Sequence, residues 1–188
     1  MAANPALFIS PEEYLEIDSK NDRPSEYLNG RMVEVEGSTR NHALIFMNLG
    51  AAVLTSLRAK NSRCRAYSHT LRVHMPKTGL YAYPDLVMAC GEEAFEAYDT
   101  LLNPILIIEA LSPTTQTYDR GDKFASYRSI PSLQEYWTIA QDEIHVERWT
   151  IVNGHWTLTD YAQPQDSLVH PHFEITLSDI YRDIQFVP

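Results

Sequence analysis

The sequence predicts an α/β fold with a mixed, twisted sheet flanked by helices. Three observations carry it: a long amphipathic stretch in the first third, two short apolar runs that each contain one acid, and a strand-like tail. The runs are Tyr83-Pro84-Asp85-Leu86-Val87-Met88 and Pro104-Ile105-Leu106-Ile107-Ile108-Glu109-Ala110. The second is apolar at both alternating positions, the pattern of a central strand buried on both faces. An ionised Glu109 in such a strand is costly unless it meets a cation or is protonated. If the two strands are neighbours, Asp85 and Glu109 converge, and paired carboxylates suit a hard divalent cation.

The elements follow in order from local signals. Ser10-Pro11-Glu12-Glu13 reads as an N-cap, a proline at the first helical position and acids that suit the helix dipole, so a helix is expected over 11–18. Asn29-Gly30 marks a tight turn between Glu26-Tyr27-Leu28 and Arg31-Met32-Val33-Glu34-Val35, an early hairpin. Ile45, Phe46, Leu49, Val53 and Leu57 recur at helical spacing, giving a long helix over 39–59. Strands are expected at 64–75, 84–90 and 104–111, with Gly91 to Asn103 as a partly helical excursion. Asp119 to Ser129 reads as helical, and Ile130-Pro131 stops it. Gln134–Ala140, Ile144–Val152 and His155–Tyr161 form an antiparallel meander turned by Asn153-Gly154.

With 188 residues and 44% hydrophobic content, the chain is expected to form one domain spanning 1–188. The first residues lack the pattern of a signal peptide, and no apolar stretch is expected to approach the roughly 20 residues of a membrane span, so a cytoplasmic protein with no membrane partner is the expectation. Cys64 and Cys90 match neither a metal motif nor a disulfide framework and read as reduced, buried thiols. His145, His155, His170 and His172 are scattered without the spacing of a metal site. No glycine-rich phosphate loop is present, which argues against nucleotide binding. The net charge of −10 disfavours nucleic acid, but from Gly37 to Pro84 there is no Asp or Glu, while Arg40, Arg58, Lys60, Arg63, Arg65, Arg72 and Lys77 all fall there. A phosphate backbone responds to such a local field. A merely solvated basic surface is the alternative.

The ordered set of Glu26-Tyr27-Leu28-Asn29-Gly30, a helix holding His42, Pro84-Asp85, Ile107 to Pro113, Asp119-Arg120-Gly121-Asp122-Lys123 and Pro131 to Trp137 resembles the Uma-type family of bacterial proteins classed as restriction endonucleases. That family is similar to the PD-(D/E)xK nucleases. The resemblance covers about Ser10 to Ile180. It implies a restriction endonuclease-like core with a C-terminal antiparallel strand extension, and Mg²⁺- or Mn²⁺-dependent hydrolysis of DNA. Asp85 and Glu109 match the metal-binding acids. The lysine two residues after the Glu is absent, because Leu111 stands there. Lys123 is the implied replacement, reaching back from the following helix, and Glu26 matches an early acid that supports the metal, with Glu34 as its competitor. From spacing alone, Asp119, Lys123 and Tyr127 share a helix face, and an exposed Asp119–Lys123 ion pair is the simpler reading. His42 reads as a partly buried helix residue. The resemblance also implies a homodimer, with two copies of the Arg58 to Arg72 segment lining one cleft. A non-catalytic nucleic-acid-binding or protein-interaction module on the same fold is the competing reading.

Overall fold

The structure, a computed structural model, describes residues 8–34, 39–97, 99–112 and 115–186. Its first helix, α1, spans Pro11–Asp18 and begins with a capping box in which Ser10 and Glu13 satisfy each other's backbone N–H. The hairpin of β1 (Ser25–Leu28) and β2 (Arg31–Glu34) turns at Asn29 and Gly30, both at positive φ. Such a turn matches the twist of the paired strands and favours this residue pair. Val35 lies outside the described residues. Helix α2 runs Arg40–Ala59 from a Thr39 cap, whose hydroxyl accepts from the His42 N–H, and it is followed by Asn61 at positive φ.

The strands after α2 divide between two six-stranded sheets. The first takes β1 and β2 with β4 (Arg72–Met75), β5 (Leu80–Ala82), β7 (Phe95–Glu96) and β8 (Thr100–Leu101), in the order β2-β1-β5-β4-β8-β7. The second contains β3 (Cys64–Ser68), β6 (Leu86–Cys90), β9 (Leu106–Ala110), β10 (Glu135–Ile139), β11 (Val146–Val152) and β12 (His155–Tyr161). Its order is β12-β11-β10-β9-β6-β3, with β9 and β10 parallel and the other neighbours antiparallel. The sheet is therefore mixed, and β10 to β12 form the antiparallel extension, turned at Asn153 and Gly154. A separate hairpin, β13 (Ser167–His170) and β14 (Phe173–Thr176), leads into a short helix.

The helical segment between β9 and β10 is irregular. It comprises α3 (Gln116–Tyr118), a π turn over Asp119–Lys123 and α4 (Phe124–Tyr127), and the short helix after β14 is α5 (Leu177–Ile180).

Alternation along the second sheet sends its residues into two cores. Leu86, Met88, Leu106, Ile108, Trp137 and Ile139 pack with α2, β14 and α5 on one face. Val87, Ile107 and Tyr136 pack with β4, β5, Phe124 and Tyr127 on the other. Sharing one strand between two cores is why β9 is apolar throughout.

Several expectations need correction. The segment 64–75 is two strands in different sheets, broken at His69 to Leu71, and 91–103 holds β7 and β8 rather than a helix. Helix α2 is itself long and apolar enough, by length and composition alone, to cross a bilayer. Its stripe of Ile45, Leu49, Val53 and Leu57 is buried in the core instead. Cys64 and Cys90 stand directly opposite across β3 and β6 and are joined as a disulfide. Their separation of 26 residues carries no local sign of that pairing. Arg72 is buried: its guanidinium pairs with Asp18 at 3.0 Å and Asp99 at 2.8 Å, and donates to the Thr100 hydroxyl at 3.0 Å.

Candidate active site

The π turn, β1 and the C-terminal end of β9 bring four charged side chains together. Glu109 shares the face of Ile107, toward Tyr127, and is only 4% exposed. Lys123 Nζ lies 2.8 Å from Glu26 Oε1, 2.9 Å from Glu109 Oε1 and 3.5 Å from Asp119 Oδ1. Tyr127 donates to Glu109 Oε1 at 2.8 Å. A π turn has one residue more per hydrogen-bonded ring than an α turn. Asp119 and Lys123, at its two ends, are nevertheless both turned inward and buried.

Asp85 joins this cluster from the start of β6. One of its oxygens accepts from the Ala110 N–H at 2.7 Å, which ties it to the residue after Glu109. His42 Nε2, from the first turn of α2, lies 3.2 Å from Asp85. The expected convergence of the two strand acids is thus a consequence of β6 and β9 being neighbours, with Leu86 opposite Ile108.

Burial dominates the electrostatics. It pushes the Glu109 carboxyl up to about 8, against the pull of Lys123, with Asp119, Asp85 and Glu26 adding to the rise. Burial also opposes the charge on Lys123, but Glu109 and Glu26 outweigh it and hold the ammonium well above its ordinary range. Asp119 is raised chiefly by burial; for His42 burial pulls down, but the hydrogen bond to Asp85 and the charges of Asp85 and Asp119 together outweigh it and raise the imidazole. Four carboxylates therefore face one permanent cation and one histidine.

These shifts fix a pH dependence. A carboxyl raised in the folded state stabilises the fold fully below its ordinary value and loses that contribution as pH rises through its folded value. For Glu109 the window runs from 4.5 to about 8. The raised Asp119 and His42 act in the same direction. In metal-free buffer the melting temperature is expected to fall between pH 6.5 and 8, above the range in which His170, lowered to about 4 by burial, adds stability with rising pH, and Glu109→Gln to flatten that fall. A wild-type melting temperature that climbs steadily across this range would contradict the assignment.

The sequence candidates separate cleanly by position. Asp85, Glu109, Lys123 and Glu26 are brought into one cluster, whereas Glu34 is exposed and paired with Arg23 at 3.2 Å. The Asp119–Lys123 pair is buried rather than solvated, so Asp119 is a member of the site that spacing alone undervalues. Leu111, at the position of the missing lysine, is buried, and its carbonyl accepts from Gln141 Nε2 at 2.6 Å. Within one chain Arg58 lies far from the cluster, whereas Arg40 shares the first turn of α2 with His42. His42 and Arg58 are 16 residues apart on α2, roughly 24 Å. Arg65 is paired with Glu93 at 2.8 Å, and Arg72 is buried.

Residues 11–180 match the model of the Uma2 family, described as "Putative restriction endonuclease". Two Synechocystis proteins (strain ATCC 27184 / PCC 6803 / Kazusa) are similar over most of their length. "Uncharacterized protein slr1290" is 27% identical over 95% of this chain and 94% of its own, and "Uncharacterized protein sll1609" is 30% identical over 81% and 86%. A crystal structure titled "a putative nuclease belonging to DUF820", from Anabaena variabilis ATCC 29413, superposes with a TM-score of 0.73, covering 92% of this chain and 97% of its own. At 20% identity that likeness speaks for the fold. With the family model matched over nearly all of its described residues, the chain belongs to the Uma2 family of restriction endonuclease-like proteins.

Proposed function

We propose that this chain is a Mg²⁺- or Mn²⁺-dependent endonuclease that hydrolyses DNA phosphodiester bonds. The observation that carries the reading is the cluster of Glu109, Glu26 and Asp119 around Lys123, with Asp85 tied to it through the Ala110 N–H, in a chain of this family. The donor set fits a hard divalent ion: its donors are carboxylate oxygens, in excess over the cations beside them. Asp85 and Glu109 would hold the ion, with Glu26 in support. Tyr127 and Lys123 both engage Glu109 through Oε1. When bound, the metal polarises a phosphoryl oxygen and lowers the pKa of water.

The chain's own groups supply the rest. Lys123, locked as an ammonium, donates hydrogen bonds toward charge that develops on the phosphate. Tyr127 fixes the Glu109 carboxylate, and the Ala110 N–H fixes Asp85. His42 orients Asp85 from the other side. The first turn of α2, with exposed Arg40, lies beside Asp85 and offers a phosphate the positive end of a long helix.

Supercoiled plasmid is expected to be nicked in millimolar Mg²⁺ or Mn²⁺, with no cleavage in chelator. Asp85→Asn and Glu109→Gln should each lower the rate by at least about 100-fold. Equal cleavage by wild type and both variants would defeat the reading. We also propose a homodimer as the cutting unit, because Ile151, Val152 and Leu158 stay exposed on the β11–β12 edge. Sedimentation showing monomer alone at micromolar concentration would remove that part. Leu111 in place of the usual lysine favours a second reading, a non-catalytic nucleic-acid-binding module. It predicts salt-sensitive DNA binding with no nicking under any metal.

A further inference from the structure

Cys64 opens β3, Cys90 closes β6, and the two are directly opposite in the ladder. Cys64 belongs to the core on the α2 face of the sheet and the partly buried Cys90 packs against it, where Phe173 and Ile175 of the β13–β14 hairpin also pack. The turn of that hairpin brings a third donor to the same place: the two sulfurs and a ring nitrogen of His172 all lie within 4.8 Å of one another. Three soft or borderline donors thus converge from positions 64, 90 and 172, in three separate elements.

We propose that, when the Cys64–Cys90 bond is reduced, Cys64, Cys90 and His172 bind one Zn²⁺ ion. Two thiolates balance the ion's charge, and thiolate with imidazole is a donor set that Zn²⁺ takes and Mg²⁺ does not. Bond lengths of about 2.3 Å to sulfur and about 2.0 Å to nitrogen place tetrahedral ligand atoms roughly 3–4 Å apart. The present spread is close to that, so reduction and side-chain rotation are sufficient. Three protein ligands leave a fourth position for water.

The location separates this site from the acid cluster. Asp85 precedes β6 and Cys90 ends it, five residues or about 17 Å apart along one strand. The ion's role is to staple the C-terminal hairpin to the edge of the sheet. The hairpin is already presented for that role. The His172 N–H donates to His170 Nδ1 at 3.2 Å, which shapes the turn, and the Glu174 N–H donates to the Ser56 hydroxyl of α2 at 2.9 Å.

The disulfide and the metal are alternative states of one pair. With a small-molecule disulfide as oxidant, one bound thiolate attacks a sulfur of the oxidant and expels a thiolate. The second cysteine then attacks the mixed disulfide, expels a second thiolate and forms the Cys64–Cys90 bond. Two electrons pass from the cysteines to the oxidant, and Zn²⁺ leaves because neither thiolate remains.

The test is a Co²⁺ titration, followed by Zn²⁺, of the full chain kept reduced by a phosphine. A thiolate-to-cobalt charge-transfer band equivalent to one Co²⁺ per chain is expected, which Zn²⁺ abolishes and a small-molecule disulfide also removes. Cys64→Ser and Cys90→Ser should each eliminate the band. His172→Ala, in a hairpin turn where folding is easily kept, should weaken Co²⁺ binding at least about tenfold. Glu109→Gln should leave it unchanged. Absence of the band in reduced wild type, or equal Co²⁺ affinity in His172→Ala, would overturn the proposal.

Discussion

Replacing Lys123 by Met is expected to abolish cleavage and to destabilise the metal-free protein by about 3–5 kcal/mol. For a chain of this size that is roughly 10 °C in melting temperature. The reason is the company Lys123 keeps: Glu26 at 2.8 Å, Glu109 at 2.9 Å and Asp119 at 3.5 Å, all with little exposure. Removing one partner of a buried ion pair strands the charge that remains, and here Glu26, Asp119 and Glu109 lose their shared cation at once. Calorimetric melting in chelator measures the loss. Adding Glu109→Gln to Lys123→Met should recover part of the stability while cleavage stays absent. Divalent metal should also raise the melting temperature of Lys123→Met by more than that of wild type. A Lys123→Met protein as stable as wild type and still cutting would show that the ammonium is neither a structural nor a catalytic centre.

Arg72→Met is expected to cost a similar amount, about 3–5 kcal/mol. Arg72 is the hub of a second buried network. It pairs with Asp18 and Asp99, and its guanidinium lies 5.7 Å from the Tyr14 ring and 5.8 Å from that of Tyr83. Tyr83 donates to Asp18 at 2.6 Å, and Asp18 also accepts from the Ser25 N–H at 2.8 Å. The network joins α1, β1, β4 and β8, so its loss loosens the first sheet. Chemical denaturation should show the drop in stability. DNA affinity measured on the folded fraction, and its dependence on salt, should be unchanged, because a buried, paired arginine makes no phosphate contact. A weakened, less salt-sensitive complex with wild-type stability would contradict this placement.

What the sequence reveals depends on the range of the interaction involved. The helix over Pro11–Asp18, the turns at Asn29-Gly30 and Asn153-Gly154 and the start of α2 at Thr39 are set by caps and positive-φ residues within four positions, and they are legible. The acid in an otherwise apolar β9 is legible for the same reason, since its cost demands a partner. The partition of strands into two sheets is not legible. β3 and β4 read as one run, and only the pairing of β4 with β5 and β8 separates them. Arg72 and Lys123 look alike in sequence to any solvated base. Their burial follows from Asp18, Asp99, Glu26 and Glu109, which arrive from distant segments. The Cys64–Cys90 pair is hidden in the same way, since only the antiparallel register of β3 and β6 sets the two residues opposite.

The central claim is that Asp85 and Glu109 together hold a divalent ion, and Mn²⁺ binding measured by isothermal titration calorimetry on the full chain tests it most directly. Wild type should bind at millimolar concentration or tighter and release protons as it does so, because the raised Glu109 carboxyl must ionise. Glu109→Gln should lose that proton release, and both it and Asp85→Asn should bind at least about tenfold more weakly. Equal Mn²⁺ affinity in wild type and both variants, or no binding in wild type at all, would contradict the account.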